Sequence, residues 1–271
     1  IWGLNAKAEP KAILSTGIRK GRRPMTTARS YQTDRVNLAA AFRSAERLGL
    51  HEGIDNHFSY AVEPDGHRFL VNPIGLHWRE LRASDLVLAT SDRTIIEGDL
   101  PVEDTAFFIH SRLHLKHPRA RAVLHTHMPY ATALTLLEGG RVELVSQNAL
   151  QFAGRIAYLD DYEGFALDHS EGDRMAEAMG DKSVLFLGHH GVIVTGPSIH
   201  AAWNDLYFLE RACMVQVLAM STGRPLRPIP QRVIDGLVEA MNSNADALDQ
   251  PRKHFEALKR LLDREAPDYR S

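Results

Sequence analysis

Residues 121–130, RAVLHTHMPY, decide how the rest of the chain reads. Ala122-Val123-Leu124 is a short apolar run of the kind that forms a buried strand, and it leads directly into His125-Thr126-His127. Side chains two apart on a strand share a face, so both imidazoles point the same way. Two neutral imidazoles on one face make half of a tetrahedral or octahedral metal site. Residues 185–196, LFLGHHGVIVTG, repeat the arrangement: an apolar run meets His189-His190-Gly191 and continues as Val192-Ile193-Val194. One imidazole from this second strand would complete a three-histidine set with positions left open for water or substrate. Open positions separate a catalytic metal from a structural one. Each histidine taken alone reads as a hydrogen-bonded residue at a strand end. The same-face pair joined to a second cluster is what points to metal.

Composition bounds the rest. The chain has 271 residues, enough for one large or two small domains with a substantial core. Its 44% hydrophobic and 24% charged content is that of a soluble globular protein. A net charge of −2 gives no general pull toward nucleic acid or an anionic membrane surface, so neither is expected as a partner. No apolar stretch approaches the ~18 residues that span a bilayer. The one cysteine, Cys213, excludes an internal disulfide, suits a reducing, cytoplasmic setting, and lies in an apolar helical pattern that marks it as core. Fourteen histidines is the unusual count, and it favours metal or proton chemistry.

Along the chain, residues 1–27 carry Lys7, Lys11, Arg19, Lys20, Arg22 and Arg23 against Glu9 alone, without periodicity. They read as a flexible basic arm or an oligomer contact, and the absence of an apolar core with a small-residue cleavage site argues against a secretory signal. Asp34 is the expected N-cap of a helix to about Leu48, stopped by Gly49. Strands are expected after Gly53, at Phe69–Val71 beyond the Pro64-Asp65-Gly66 turn, and at Asp85–Ala89. A helix is expected over Val102–Lys116, with Glu103 and Asp104 in its first turn. After the His125 strand, Pro129 opens a short helix to Leu137, and another runs from about Ser170 to Met179. Strands at 184–187 and 192–194 flank the second histidine cluster, and Ser198 caps a long helix to about Ser221. Gly223, Pro225, Pro228 and Pro230 form a linker, and a last amphipathic helix covers about 253–263. Strands alternating with helices, mixed with hairpins, argue an α/β domain whose mixed sheet is covered by helices on both sides.

HTHMPYATAL, the HHGVIVTG strand, Leu209-Glu210-Arg211 and the earlier NHFS and NPIG segments together resemble the class II aldolase/adducin family over about Tyr31 to Gly223. The resemblance implies a fuculose-phosphate aldolase-like fold: a three-layer α/β/α sandwich about a mixed, largely antiparallel sheet. It divides the chain into the arm at 1–27, a domain at 28–223, and a C-terminal linker and helix at 224–271 packing on the domain or a neighbouring subunit. It also implies a homotetramer with active sites at subunit interfaces, and a divalent metal ion (Zn, Mn or Fe) held by His125, His127 and His190. His190 is selected over His189 because the family's ligand directly precedes the glycine. Such a metal would stabilise the charge left when a bond beside a carbonyl breaks.

The departures from the family pattern are informative. Aldolases of the family place a metal-bound Glu four residues before the position of His110, where this chain has Ala106. Glu103 lies on roughly the same helical face and is the candidate substitute acid/base, against the simpler role of favouring the helix N-terminus. His57 and His110 are further catalytic candidates, as proton-transfer groups beside the metal. The resemblance also implies a proton-donating tyrosine from a neighbouring subunit's C-terminal region, for which Tyr269 is the candidate, with a disordered surface tail as the alternative. Ile74-Gly75 and Val102 replace the hydroxyl residues of the family's phosphate loop, so the expected substrate is a small non-phosphorylated hydroxy- or oxo-acid. The leading expectation is a metal-dependent carbon–carbon lyase or decarboxylase. The alternatives are an aldolase-like non-haem iron oxygenase cleaving a 2-oxo acid, and a non-catalytic adducin-head-like interaction domain.

Overall fold

The computed structural model describes residues 30–117, 119–162, 164, 168–243 and 245–271. The basic arm expected over residues 1–27 lies outside them. Eight strands form one sheet: β1 (His57–Ala61), β2 (Arg68–Val71), β3 (Val87–Thr90), β4 (Ile95–Glu97), β5 (Ala122–Thr126), β6 (Ile156–Leu159), β7 (Val184–Leu187) and β8 (Gly191–Gly196). Their order is β4-β3-β2-β1-β5-β8-β7-β6. Every pairing is antiparallel except β6 with β7, which gives the expected mixed, largely antiparallel sheet.

Alternation along the strands separates the two faces. Phe58, Ala122, Leu124, Val192 and Val194 belong to the main core, which α1 (Gln32–Arg47), α3 (Pro129–Thr135), α6 (Ile199–Met220) and α8 (Ala245–Glu265) help to close. Phe42 and Phe58 stack there and Trp78 meets them edge-on and tilted, with ring centroids 4.7–4.8 Å apart, and Trp203 Nε1 on α6 donates to the Ala41 carbonyl. Val123 and Ile193 point to the opposite face, where α2 (Asp104–Lys116) and α5 (His169–Met179) pack with Leu113, Met175 and Met179. Helices on both faces complete the α/β sandwich.

Several boundaries differ from the sequence expectations. Tyr31, with φ 61°, occupies the N-cap of α1, while Asp34 falls inside the first turn. The neighbouring Arg35 is fully buried, satisfied by the Leu86 and Ser30 carbonyls and by Glu97. The short edge strand β4, with two exposed isoleucines, was not anticipated, nor were β6 and the four-residue α4 (Gln147–Leu150). Beyond the proline linker lie two helices where one was expected: α7 (Gln231–Ser243), and α8, which begins eight residues before Lys253 and carries Pro251 inside it. Tyr269 is no part of a loose tail. It is fully buried, its hydroxyl donates to Asp263 at 2.8 Å, and burial pushes its ionisation upward.

Candidate metal centre

β1, β5 and β8 are neighbours, and their register gathers the histidines at one end of the sheet. His57 stands opposite His125 across β1 and β5, and Thr126 stands opposite Val192 across β5 and β8. His125 shares the Val123 face, the side on which α2 packs. His127 leaves the strand end immediately beyond, and His190 closes the turn into β8. Ring centroids of His125, His127 and His190 form a nearly regular triangle with sides of 5.0, 4.8 and 4.7 Å. One ring nitrogen of each lies within 4.8 Å of the others. His189 is turned out to solvent in the left-handed region, φ 58°, so of the two adjacent histidines only His190 joins the group.

Hydrogen bonds fix which nitrogens face inward. His125 Nδ1 donates to the Val192 carbonyl at 3.0 Å, and His127 Nδ1 donates to Glu52 at 2.5 Å. Both Nε2 atoms of the neutral rings therefore present lone pairs, and these atoms are 3.1 Å apart. Two facing lone pairs repel unless a cation or a shared proton lies between them. Tetrahedral zinc, with bonds of ~2.0–2.1 Å, holds its nitrogens roughly 3.3 Å apart, so the spacing fits a metal. Burial, reinforced by the neighbouring imidazoles, drives the His125 pKa well below its usual value and that of His190 down to about 4. Neutral imidazole is the form that binds metal.

The surrounding chain holds this geometry. Gly191 lies so close that a Cβ would sit 2.5 Å from the Thr126 carbonyl oxygen and 2.9 Å from His127 Cδ2. Immediately after His127, Pro129 begins α3, whose Tyr130 and Ala131 amides donate to the buried Glu210 of α6 at 2.8 and 2.9 Å. Burial raises the Glu210 carboxyl to about 6. Asn56 Oδ1 accepts from the His127 amide, and its buried Nδ2 has no partner, leaving a donor beside the cleft. Sequence reasoning missed Glu52, Asn56 and Glu210. Only Glu210 left a signal, an acid on the otherwise apolar face of α6.

Of the three remaining site candidates, Glu103 stands apart from the histidine group and the other two lie beside it. Glu103 is the N-cap residue of α2, accepts from the Thr105 hydroxyl at 2.6 Å, and is not among the three-histidine group. The carboxylates that act on His190 are Glu171 and Glu52. His57 and His110 adjoin the group: the His57 ring is 4.8 Å from that of His125, and its Nδ1 lies 2.7 Å from His110 Nε2.

Glu46, His51 and His77 also bring ligand atoms within 4.8 Å. Their hydrogen bonds argue against a cation. His77 Nδ1 accepts from the Arg79 amide, so its Nε2 carries the proton toward His51 Nε2 at 3.3 Å. The Arg79 guanidinium already satisfies Glu46.

A mixed sheet clothed by helices, with three imidazoles converging from strand ends, defines the class II aldolase-like fold. Residues 36–217 match the model of the class II aldolase and adducin N-terminal domain, and the chain belongs to that family. It is 34% identical over 249 residues to a Pseudomonas aeruginosa protein provisionally named as aldolase class 2, covering 90% of this chain and 94% of that one. Among solved structures it is similar to an aldolase II superfamily protein from Pseudomonas syringae, with TM-score 0.81 and 36% identity over 90% of this chain and 98% of the other. L-fuculose 1-phosphate aldolase from Glaciozyma antarctica PI12 superposes with TM-score 0.78 and 26% identity, covering 92% and 97%.

Proposed function

We propose that this chain is a metal-dependent lyase, an aldolase or decarboxylase, that cleaves a carbon–carbon bond in a small non-phosphorylated hydroxy- or oxo-acid. The observation that carries this reading is the pair of Nε2 lone pairs on His125 and His127, 3.1 Å apart, with His190 completing the triangle. Three neutral ligands would leave a divalent cation its full charge, and such a cation supplies a sink for the electrons left when the bond breaks. Asn56 Nδ2 donates to a substrate oxygen beside His127, and His57 faces the cleft from β1. Glu103 has no part in this reading, because its carboxylate is engaged at the start of α2. Ile74 and Gly75 themselves carry no side-chain donor for a phosphate, which supports an unphosphorylated acid. The proposal includes a cytoplasmic homotetramer with active sites at subunit interfaces. Among the described residues no helix is long and apolar enough to cross a membrane.

Metal analysis of protein purified without chelator tests the reading. One zinc or manganese per chain, lost in His127→Ala while the circular dichroism spectrum is kept, is the expected result. Stoichiometric iron with substrate-dependent oxygen uptake would replace the lyase by an oxygenase cleaving a 2-oxo acid. Failure to bind any divalent metal, even after reconstitution, would refute the enzyme and leave an adducin-like interaction domain.

A further inference from the structure

Behind the three imidazoles a buried polar chain runs from β1 through α2. His57 Nδ1 lies 2.7 Å from His110 Nε2, and His110 Nδ1 meets the Ser59 hydroxyl. The same hydroxyl lies 2.7 Å from His114 Nε2, and His114 Nδ1 is 2.6 Å from the Ala120 carbonyl oxygen. Ser59 and His110 are fully buried, and His57 and His114 are only 4% and 5% exposed, so bulk water does not enter the chain.

The far end gives this chain a direction. A carbonyl only accepts, so His114 Nδ1 donates to it, and a neutral His114 must accept at Nε2 from the Ser59 hydroxyl. That proton is the hydroxyl's only one, so Ser59 accepts from His110 Nδ1–H. A neutral His110 then accepts at Nε2 from His57 Nδ1–H. All four side chains are buried, and burial favours the uncharged rings. His57 Nε2 is left without a hydrogen bond among the described residues, on a ring beside His125.

We infer that His57 is the proton acceptor of the cleft, locked with its Nε2 lone pair outward by a one-way hydrogen-bond chain through His110, Ser59 and His114 to the Ala120 carbonyl. This rests on the metal-dependent reading above. His57 Nε2 takes the proton of a substrate hydroxyl while the O–H electron pair stays on oxygen and becomes the new carbonyl bond. The carbon–carbon pair passes to the other fragment, whose carbon later takes back the same proton. Inward, the chain ends at the Ala120 carbonyl. No proton leaves there, because the Ala120 carbonyl cannot pass one on, so it is retained for return. His110, Ser59 and His114 are positioning residues.

Nitrogen-15 NMR of histidine-labelled protein, metal-free and zinc-loaded, reads the tautomers directly. The expected spectrum has His57 and His110 protonated at Nδ1 with unprotonated Nε2, and His114 protonated at Nδ1, in both states. In Ser59→Ala, His57 and His110 should become tautomer mixtures while one zinc per chain is still bound. A proton on His57 Nε2 in the wild-type protein overturns the inference, as does a His57 Nε2 that shifts to a metal-bound position, or tautomers unchanged in Ser59→Ala. Failure of the metal reading has a different signature: no zinc response at His125, His127 and His190, with the His57–His114 tautomers intact.

Discussion

Gly191→Ala tests the close approach of β8 to the strand end that carries His125 and His127. The added Cβ would lie 2.5 Å from the Thr126 carbonyl oxygen, about 0.9 Å inside an ordinary 3.4 Å contact. The oxygen is backbone and the Cβ position is set by backbone geometry, so no rotamer change relieves the clash, and β8 must back away from β5. Gly191 lacks the positive φ that would make alanine strained for conformational reasons, so the effect is one of space alone. Overpacking of this kind costs about 1–3 kcal/mol, against which the stiffer unfolded chain returns about 0.4–1 kcal/mol. A net loss of about 1.3 kcal/mol is expected, a fall in Tm of roughly 3–5 °C for a domain of this size. The assay is urea unfolding of metal-free protein, followed by zinc titration. The Cβ also presses on His127 Cδ2 at 2.9 Å, so zinc affinity should fall by about tenfold or more. A stability within ~0.5 kcal/mol of wild type, with zinc affinity unchanged, would refute this account of the strand contact.

Gly236→Ala should do the opposite: Gly236 lies inside α7 with nothing within 4 Å of its Cβ position, and unfolding should show a gain of about 0.5–1 kcal/mol. Glu52→Gln weakens the acceptor that orients His127, and zinc affinity should drop about 10–100-fold in a competition titration with little change in unfolding midpoint. Glu210 predicts a pH signature in metal-free protein. Its folded pKa is raised to about 6, so its stabilising contribution is complete below the unfolded value near 4.5 and is lost as pH rises through 6, on the order of 2 kcal/mol. Subtracting the pH profile of Glu210→Gln from that of wild type should reveal this slope, and parallel profiles between pH 4.5 and 6.5 would contradict it.

Much of the architecture was legible because strands β5, β7 and β8 are continuous apolar runs and α6 combines a Ser198 cap with a wide apolar face. Strand periodicity put His125 and His127 on one face, and a second histidine cluster was visible at His189-His190, but His190 was selected over His189 only through the family resemblance. What stayed hidden depends on partners far apart in sequence. Glu52 meets His127 across 75 positions and Glu210 meets Ala131 across 79. Ser59 and His114 are unremarkable alone and gain meaning only when β1 and α2 pack. Strand β4 has an exposed pair of isoleucines, Ile95 and Ile96, in place of an alternating pattern, and α7 was masked by the prolines before it.

Odd and even positions of β5 answer to different demands. Ala122 and Leu124 lie in the main core, while His125 stands on the opposite face beyond the buried Val123, so replacing that imidazole leaves the main-core side of the strand untouched. A fold divided in this way can discard one reaction, acquire another, or become a mute adhesive module without first having to reinvent its interior. That separability offers a material reason why one family can carry both the aldolase and the adducin name.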